Sequence, residues 1–155
     1  MTKLPHDGFV RFHAYLDPVN QWVMGRGTEY RNGVGMTVLR PLASYNDLST
    51  VWGVYYVNDT QFKLRCADSP QIFLANNTRD DAMRLVSEQN SHGQSALFTI
   101  DDLDPSPWFA LNNVDKSRVA DISQSFMVNN RYVISFPWNG GDNQKWRAEV
   151  VPRTW

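Results

Sequence analysis

Short apolar runs separated by turn residues dominate the chain, and the periodicity of amphipathic helices is almost absent. Typical runs cover residues 9–12, 54–57, 71–74 and 132–136. β-Branched and aromatic residues are frequent in these runs, and Asn, Asp, Gly, Pro and Ser separate them. Because such residues suit pleated, half-buried strands, the pattern predicts an all-β sandwich or barrel.

One large aromatic residue recurs at a regular interval along this pattern. Trp52, Phe98 and Trp146 occupy the same place in three predicted strands, at intervals of 46 and 48 residues. Two further sets repeat at similar intervals: Met36, Met83 and Val133, and the strand-opening aromatics Phe9, Phe62 and Trp108. The chain 1–155 therefore divides into three units of about 47 residues, near 8–58, 59–104 and 105–155, within one domain.

A threefold arrangement solves a physical problem that one unit cannot solve. A single four-stranded unit would expose its strand edges and half of its apolar face. Three units around an axis close a barrel and cover one of its ends. We therefore predict twelve short strands with pseudo-threefold symmetry, in which Trp52, Phe98 and Trp146 are equivalent and buried.

Composition and charge narrow the classes of function. The chain has 155 residues, 42% of them hydrophobic and 20% charged, which is an ordinary globular balance. Its formal net charge is −1 and it contains no run of Lys or Arg, which argues against a nucleic-acid partner. No stretch approaches the roughly 18 apolar residues of a membrane span.

Cysteine usage and the first residues bear on the compartment. Cys66 is the single cysteine, so it has no partner for an internal disulfide. The first residues lack the apolar segment of a secretory signal. Small secreted domains usually carry disulfides, so we expect a cytoplasmic location.

The last third of the chain contains a recognisable motif. Residues 140–146 read Gly-Gly-Asp-Asn-Gln-Lys-Trp, and Asp121 precedes Phe136 by 15 residues. This set resembles the Gln-x-Trp repeat of ricin B-chain-type lectins, in which the acid binds sugar and the aromatic stacks on it. The resemblance implies a β-trefoil with one intact carbohydrate site in the third unit. It also implies a glycan partner, with galactose or N-acetylgalactosamine as the commonest ligand of the family.

The residue types suit a sugar. An aromatic ring such as Phe136 can lie under the C–H face of a pyranose. The Asp121 carboxylate can accept hydrogen bonds from two hydroxyls, and the Asn143 amide can both donate and accept. We expect Gln144 to support this set from behind, and Trp138 or Asn130 to lie at its rim.

Each of these residues also has a plainer interpretation. Asp121 could cap a turn, and Asn143 could be a simple turn residue. In either role we expect the Asp121 side chain to face solvent. Phe136 could pack in the barrel, which would leave Trp138 as the stacking ring. Trp146 is expected to point into the core.

The other two units depart from the motif. In the first unit the same count places Met24 at the acid position and Leu39 at the aromatic position, with Ser49 and Thr50 in place of Asn-Gln. In the second unit Val86, Ser95 and Ala96 replace the aromatic, Asn and Gln, and the acid position falls within 74–76. We expect these units to serve the fold and not the ligand.

Enzymatic signatures are missing from the sequence. The histidines His6, His13 and His92 are scattered, and no Gly-x-Ser-x-Gly elbow is present. We therefore expect no enzyme activity, no cofactor and no metal. The alternative function is a non-sugar trefoil, such as a protease inhibitor acting through an exposed loop. Because one weak site gives poor avidity, a cross-linking lectin must be multivalent, and we predict a homodimer.

Overall fold

The computed structural model describes residues 2–31, 34–42, 47–76, 83–115 and 118–153. Four strands fall in each predicted unit. The first unit holds β1 (Phe9–Ala14), β2 (Trp22–Arg31), β3 (Val34–Pro41) and β4 (Trp52–Tyr56). The second holds β5 (Phe62–Cys66), β6 (Ile72–Asn76), β7 (Met83–Ser87) and β8 (Phe98–Asp102). The third holds β9 (Phe109–Asn113), β10 (Arg118–Ile122), β11 (Val133–Pro137) and β12 (Trp146–Val151).

Helical structure in the described ranges is limited to short 3₁₀ turns. They cover Pro18–Asn20, Leu48–Thr50, Glu88–Asn90, Gln94–Ala96, Ser123–Ser125 and Asp142–Gln144. None of these helices is long and apolar enough to cross a membrane. One such turn directly precedes the fourth strand of each unit, so the local structure repeats along with the strands.

Six strands close into a barrel. The first and fourth strands of each unit pair with each other, and each fourth strand also pairs with the first strand of the next unit. The ring closes where β12 pairs with β1 from Phe9↔Val151 to Ala14↔Trp146. Every pairing is antiparallel. Closure leaves the barrel without an exposed edge strand.

The other six strands form three hairpins. These are β2–β3, β6–β7 and β10–β11, each joining the second and third strands of a unit. The hairpins also contact one another, because β3 pairs with β7 at Gly35↔Leu85 and Val38 bridges Tyr132. Three equivalent hairpins around one axis form the cap of the barrel.

The recurring aromatics occupy one equivalent position, as the sequence predicted. Each pairs with the opening strand of its own unit, at Val10↔Trp52, Phe62↔Phe98 and Phe109↔Trp146. The true opening positions are therefore Val10 and Phe109, one residue after the predicted Phe9 and Trp108. Similarly, hairpin pairing aligns Met83 and Val133 with Thr37 and not with Met36. In both cases the apolar pattern was right, and the register was wrong by one residue.

Trp52 and Trp146, the two tryptophans among the recurring aromatics, connect the barrel to the cap. Trp52 Nε1 donates to the Met24 carbonyl at 3.0 Å, and Trp146 Nε1 donates to the Ala120 carbonyl at 3.1 Å. Trp52, Phe98 and Trp146 are all completely buried in one apolar core. Burying rings of this size while satisfying the indole N–H makes these residues central to stability.

Hairpin register also corrects the count in the first unit. The hairpins align at Trp22↔Pro41 and Arg118↔Pro137. In this alignment Gly25 of the first unit is equivalent to Asp121 of the third, since Gly25 pairs with Val38 as Asp121 pairs with Ile134. Arg40 is equivalent to Phe136. The predicted equivalents Met24 and Leu39 were each one residue early, because the count took Met36 as the equivalent of Val133, whereas pairing aligns Val133 with Thr37.

Cys66 lies in β5 within the core. The thiol is buried, and burial raises its pKa to about 12. The reactive thiolate is therefore scarce at neutral pH. Cys66 packs as a small apolar residue.

Candidate functional site

Two elements of the third unit carry polar residues of the predicted site. Asp121 lies on β10, directly opposite Ile134 of β11. Asn143 and Gln144 belong to the 3₁₀ turn Asp142–Gln144 that precedes β12. The buried Trp146 anchors that turn against β10, because its indole donates to the Ala120 carbonyl next to Asp121. The core residue of the motif thus positions the polar ones.

Two amides hold the carboxylate of Asp121. Its Oδ1 accepts from Asn143 Nδ2 at 3.1 Å, and its Oδ2 accepts from Gln144 Nε2 at 2.9 Å. The residue is only 4% exposed. The expectation that Asp121 faces bulk solvent was therefore wrong, because amide donors replace most of the water that a carboxylate usually needs.

This environment changes the acidity of the group. Burial raises the pKa of Asp121 above its usual value, and the hydrogen bonds from Gln144 and Asn143 oppose that rise. A carboxylate offers about four acceptor directions, and the protein uses two of them. One further acceptor direction on each oxygen is therefore left for hydroxyl donors.

The orientation of the Asn143 amide follows from its partners. Its Nδ2 donates to Asp121 Oδ1 and also to the Ile122 carbonyl, both at 3.1 Å. Both partners are acceptors, so the nitrogen must face them and the oxygen must point away. Asn143 therefore holds the carboxylate with one end and presents an acceptor with the other.

Gln144 is fully buried and acts from behind, as the sequence predicted. Its Nε2 donates to Asp121 and to the Pro137 carbonyl at 2.9 Å, and its Oε1 accepts from the Asn139 backbone N–H at 2.9 Å. These bonds use both amide hydrogens. Gln144 thus ties the end of β11 to Asp121 and has no donor left for a ligand.

The two glycines of the motif shape the loop beside the turn. Gly140 has a φ of +78°, in the left-handed region that favours glycine. A Cβ added to Gly141 would lie 2.6 Å from Asn143 Oδ1 and 2.8 Å from Asn139 Oδ1. The absence of a side chain at Gly141 therefore leaves room for the side chains of Asn139 and Asn143.

An open cavity of about 390 Å³ lies over this arrangement. Its lining consists of Asp121, Ser123, Gln124, Ile134, Phe136, Asn139 and Asn143. Phe136 is 39% exposed, so its ring is available at the wall instead of being packed in the barrel. We call this space the primary cavity. It brings together three of the predicted site residues: Asp121, Phe136 and Asn143.

The two predicted rim residues, Trp138 and Asn130, are not among the described residues that line the primary cavity. Among the described residues, those lining the primary cavity do not include Trp138, whose side chain is 44% exposed beyond the end of β11. Asn130 lines a neighbouring cavity together with Ser123.

Sequence reasoning missed four lining residues: Ser123, Gln124, Ile134 and Asn139. Ile134 could have been predicted as a lining residue, since strand pairing places it opposite Asp121. Asn139 lies in the Asn-Gly turn that precedes the motif. The positions of Ser123 and Gln124 carried no comparable signal.

In the first unit, a side chain of the protein fills the space equivalent to the primary cavity. Arg40 Nη1 donates to Ser49 Oγ at 3.2 Å, and its Nη2 lies 4.0 Å from Asp47 Oδ2. A Cβ added to Gly25 would lie 2.9 Å from Arg40 Cδ. The arginine side chain thus crosses the space that the Asp121 side chain occupies in the third unit. The second unit has Ala75, Val86 and Ser95 at these positions.

The described residues hold no group of three or more potential metal ligands.

No protein-family model matches the chain, and no curated protein matches it. Solved structures match it over almost its whole length. The designed threefold-symmetric protein ThreeFoil superposes with a TM-score of 0.75 at 17% identity, covering 92% of this chain and 98% of that protein. The fold is a β-trefoil.

Two natural proteins share the architecture. A Polyporus squamosus lectin, solved with the human-type influenza-binding epitope Neu5Acα2-6Galβ1-4GlcNAc, superposes with a TM-score of 0.73 at 10% identity. An exo-β-1,3-galactanase from Clostridium thermocellum gives 0.76 at 14% identity. Each superposition covers 96% of this chain, which spans 50% of the lectin and 31% of the galactanase. At these identities the likeness concerns the fold.

Proposed function

We propose that this β-trefoil is a carbohydrate-binding protein whose site is the primary cavity of the third unit. One observation carries the proposal. A buried carboxylate, fixed by two amides, borders an open cavity that also has an exposed aromatic ring. An isolated buried carboxylate is costly, and this one lines the cavity while each of its oxygens accepts one hydrogen bond from the protein.

The arrangement matches the two faces of a pyranose. Asp121 would accept hydrogen bonds from two adjacent hydroxyls, while the Asn143 oxygen would accept from a third. Phe136 would lie against the C–H face and bury apolar area. The volume of about 390 Å³ falls in the usual range for small-molecule sites. We propose that this site binds sugar without catalysis.

The ligand class follows from the resemblance to ricin B-chain-type lectins. We propose a glycan with a terminal galactose or N-acetylgalactosamine. The occurrence of the same fold in a glycan-bound lectin and in a galactanase supports carbohydrate binding in general.

Titration calorimetry or protein-observed NMR with galactose, N-acetylgalactosamine and glucose tests the proposal. We expect the two galactose-type sugars to bind and Asp121→Asn to weaken binding by about tenfold or more, since hydrogen bonds to a charged group are worth roughly 1.5–3 kcal/mol. Asp142→Asn is the matched control, because Asp142 is exposed and pairs with Lys145 outside the cavity lining. This control should bind as the native protein does.

Asp121→Asn is also expected to lower stability, since the new side-chain NH2 group would face an amide donor of Asn143 or Gln144 in place of an acceptor. Circular dichroism establishes whether the variant is folded, and Phe136→Ala tests the same cavity without touching the buried network. Equal affinity in the native protein and in both folded variants would contradict the proposed site. Absence of binding to every sugar tested would contradict the function and favour the inhibitor alternative.

A further inference from the structure

A second cavity adjoins the primary one. It has a volume of about 230 Å³ and is lined by Ser123, Asn130, Arg131 and Tyr132. Ser123 lines both spaces. We call it the adjoining cavity. Because Ser123 borders both spaces, the two cavities lie beside each other at that residue.

The size of the adjoining cavity favours an extension over an independent site. It is smaller than the roughly 300–1,000 Å³ of typical small-molecule pockets, whereas the primary cavity falls within that range. In an oligosaccharide, neighbouring rings are joined through a single oxygen. A second ring must therefore lie directly beside the first, which is where the adjoining cavity is.

The lining suits hydroxyl groups. It carries a hydroxyl from Ser123, an amide from Asn130, a guanidinium from Arg131 and a phenol from Tyr132. Together these groups offer donors and acceptors to a ring that presents hydroxyls in several directions. Sugar recognition needs this mixed polar surface.

Arg131 couples the two cavities. Its Nε donates to the Ser123 carbonyl at 2.8 Å, and its Nη2 donates to Gln124 Oε1 at 2.8 Å. The guanidinium also lies 4.7 Å from the centre of the Phe126 ring. Because Gln124 lines the primary cavity, one side chain fixes the walls of both spaces.

The backbone of this wall is held in place before any ligand arrives. The Asn130 N–H donates to the Leu39 carbonyl at 2.8 Å, and the Leu39 N–H donates to the Arg131 carbonyl at 2.7 Å. Gln124, Ser125 and Asn130 have φ values of 56°, 58° and 67°, in the left-handed region. Such residues persist only where their surroundings fix them, and they concentrate at ligand sites. A fixed wall lowers the entropy lost on binding.

We infer that the site takes two linked sugar residues, so that its ligand is a disaccharide or the end of a longer glycan. The terminal residue occupies the primary cavity and the next residue occupies the adjoining cavity beside Asn130. This inference rests on the proposed function and adds the length of the ligand.

Calorimetric titration with methyl galactosides and with galactose-terminated disaccharides of β1-3, β1-4 and α1-4 linkage tests it. We expect at least one disaccharide to bind about fivefold more tightly than the monosaccharide, as one or two added hydrogen bonds would give. Asn130→Gly removes the side chain and accepts the left-handed backbone. It should reduce the ratio of disaccharide to monosaccharide affinity to about one.

Asn129→Gly is the matched control, since Asn129 is exposed, adjacent and outside the lining of the adjoining cavity. It should preserve the ratio. Monosaccharide binding with no gain for any disaccharide would overturn this inference and leave the proposed function intact. An undiminished gain in folded Asn130→Gly would overturn it as well. Absence of all saccharide binding would overturn the proposed function and this inference with it.

Discussion

The hairpins of the first and third units follow the same strand register but carry different side chains at matching positions. The third unit has Asp121 and Phe136 around an open cavity. The first unit has Gly25 and Arg40 there, and the arginine reaches across the glycine to Ser49. One hairpin keeps a polar space open, and the other fills the corresponding space with its own side chain.

This difference separates the residues that build the fold from those that build the site. Trp52 and Trp146 make the same indole hydrogen bond at 3.0 and 3.1 Å in both units. The backbone is therefore maintained whether or not the cavity is open. Under the proposed function, ligand binding depends on a few side chains of one hairpin and of the turn before β12. The matching side chains of the first unit differ, although the strand register is the same.

The largest expected effect concerns what the two units share. Trp52→Ala and Trp146→Ala should each lower the free energy of unfolding by about 3–5 kcal/mol, because each leaves a large cavity in the core. Urea unfolding followed by circular dichroism measures both values. Trp138→Ala, at an exposed side chain, should change stability by about 0.5 kcal/mol or less. A strong effect at only one of the two buried tryptophans would break the equivalence of the units.

The next effect concerns the carboxylate that the first unit lacks. Burial raises the pKa of Asp121, so this group becomes protonated at a higher pH than an exposed aspartate. Sugar affinity should fall by about tenfold or more as the pH is lowered and Asp121 becomes protonated, since the charged acceptor is then lost. Protonation favours the folded state here, because the pKa is higher folded than unfolded. This group therefore adds stability as the pH falls.

Titration of affinity against pH, with circular dichroism at each point, separates loss of binding from unfolding. Folded Asp121→Asn should lack this pH dependence. An affinity that stays constant down to the pH of ordinary aspartate titration would remove Asp121 from the site.

A smaller effect tests whether Arg40 fills the first unit. A Cβ at Gly25 would lie 2.9 Å from Arg40 Cδ and 3.3 Å from the Ser49 carbonyl oxygen. Gly25→Ala should therefore cost about 1 kcal/mol through overpacking. In a double-variant cycle, Arg40→Ala should relieve most of that cost. Additive effects of the two changes would show that Arg40 does not occupy the space above Gly25.

The smallest effect distinguishes the two candidate stacking rings. Phe136→Ala should weaken sugar binding by about 0.5–1.5 kcal/mol, the usual contribution of a specific aromatic contact. Trp138→Ala should leave the affinity within about twofold, because Trp138 lies outside the lining of the primary cavity in the described residues. Calorimetry on both variants decides the matter. The reverse order would assign the stacking role to Trp138.

The repeat was predictable from the sequence because it rests on large core residues. Trp52, Phe98 and Trp146 must recur at equivalent places if three similar units are to share one core. The β-trefoil and the burial of these rings are confirmed. Register was less predictable, since it depends on strand pairing, and a count along the sequence placed Met24 where strand pairing places Gly25.

The site was only partly predictable for a related reason. The motif identified Asp121, Phe136 and Asn143, and the structure brings them to one cavity. It did not reveal that Asp121 is buried, because burial depends on the two amides that surround its carboxylate. The loop around Asn130 was beyond sequence reasoning, since its shape arises from contacts with Leu39 in another unit.

The pairing of β1 with β12 makes the linear order of the chain incidental to the architecture. The first and last strands lie side by side over six residue pairs, so the barrel has no structural beginning. Joining these strands by a short linker and opening the chain between two other units would give a circular permutant with the same contacts. The third unit, with its cavity, would then stand in the middle of the polypeptide or at its start. Such permutants offer attachment points for fusion partners at different places around the barrel.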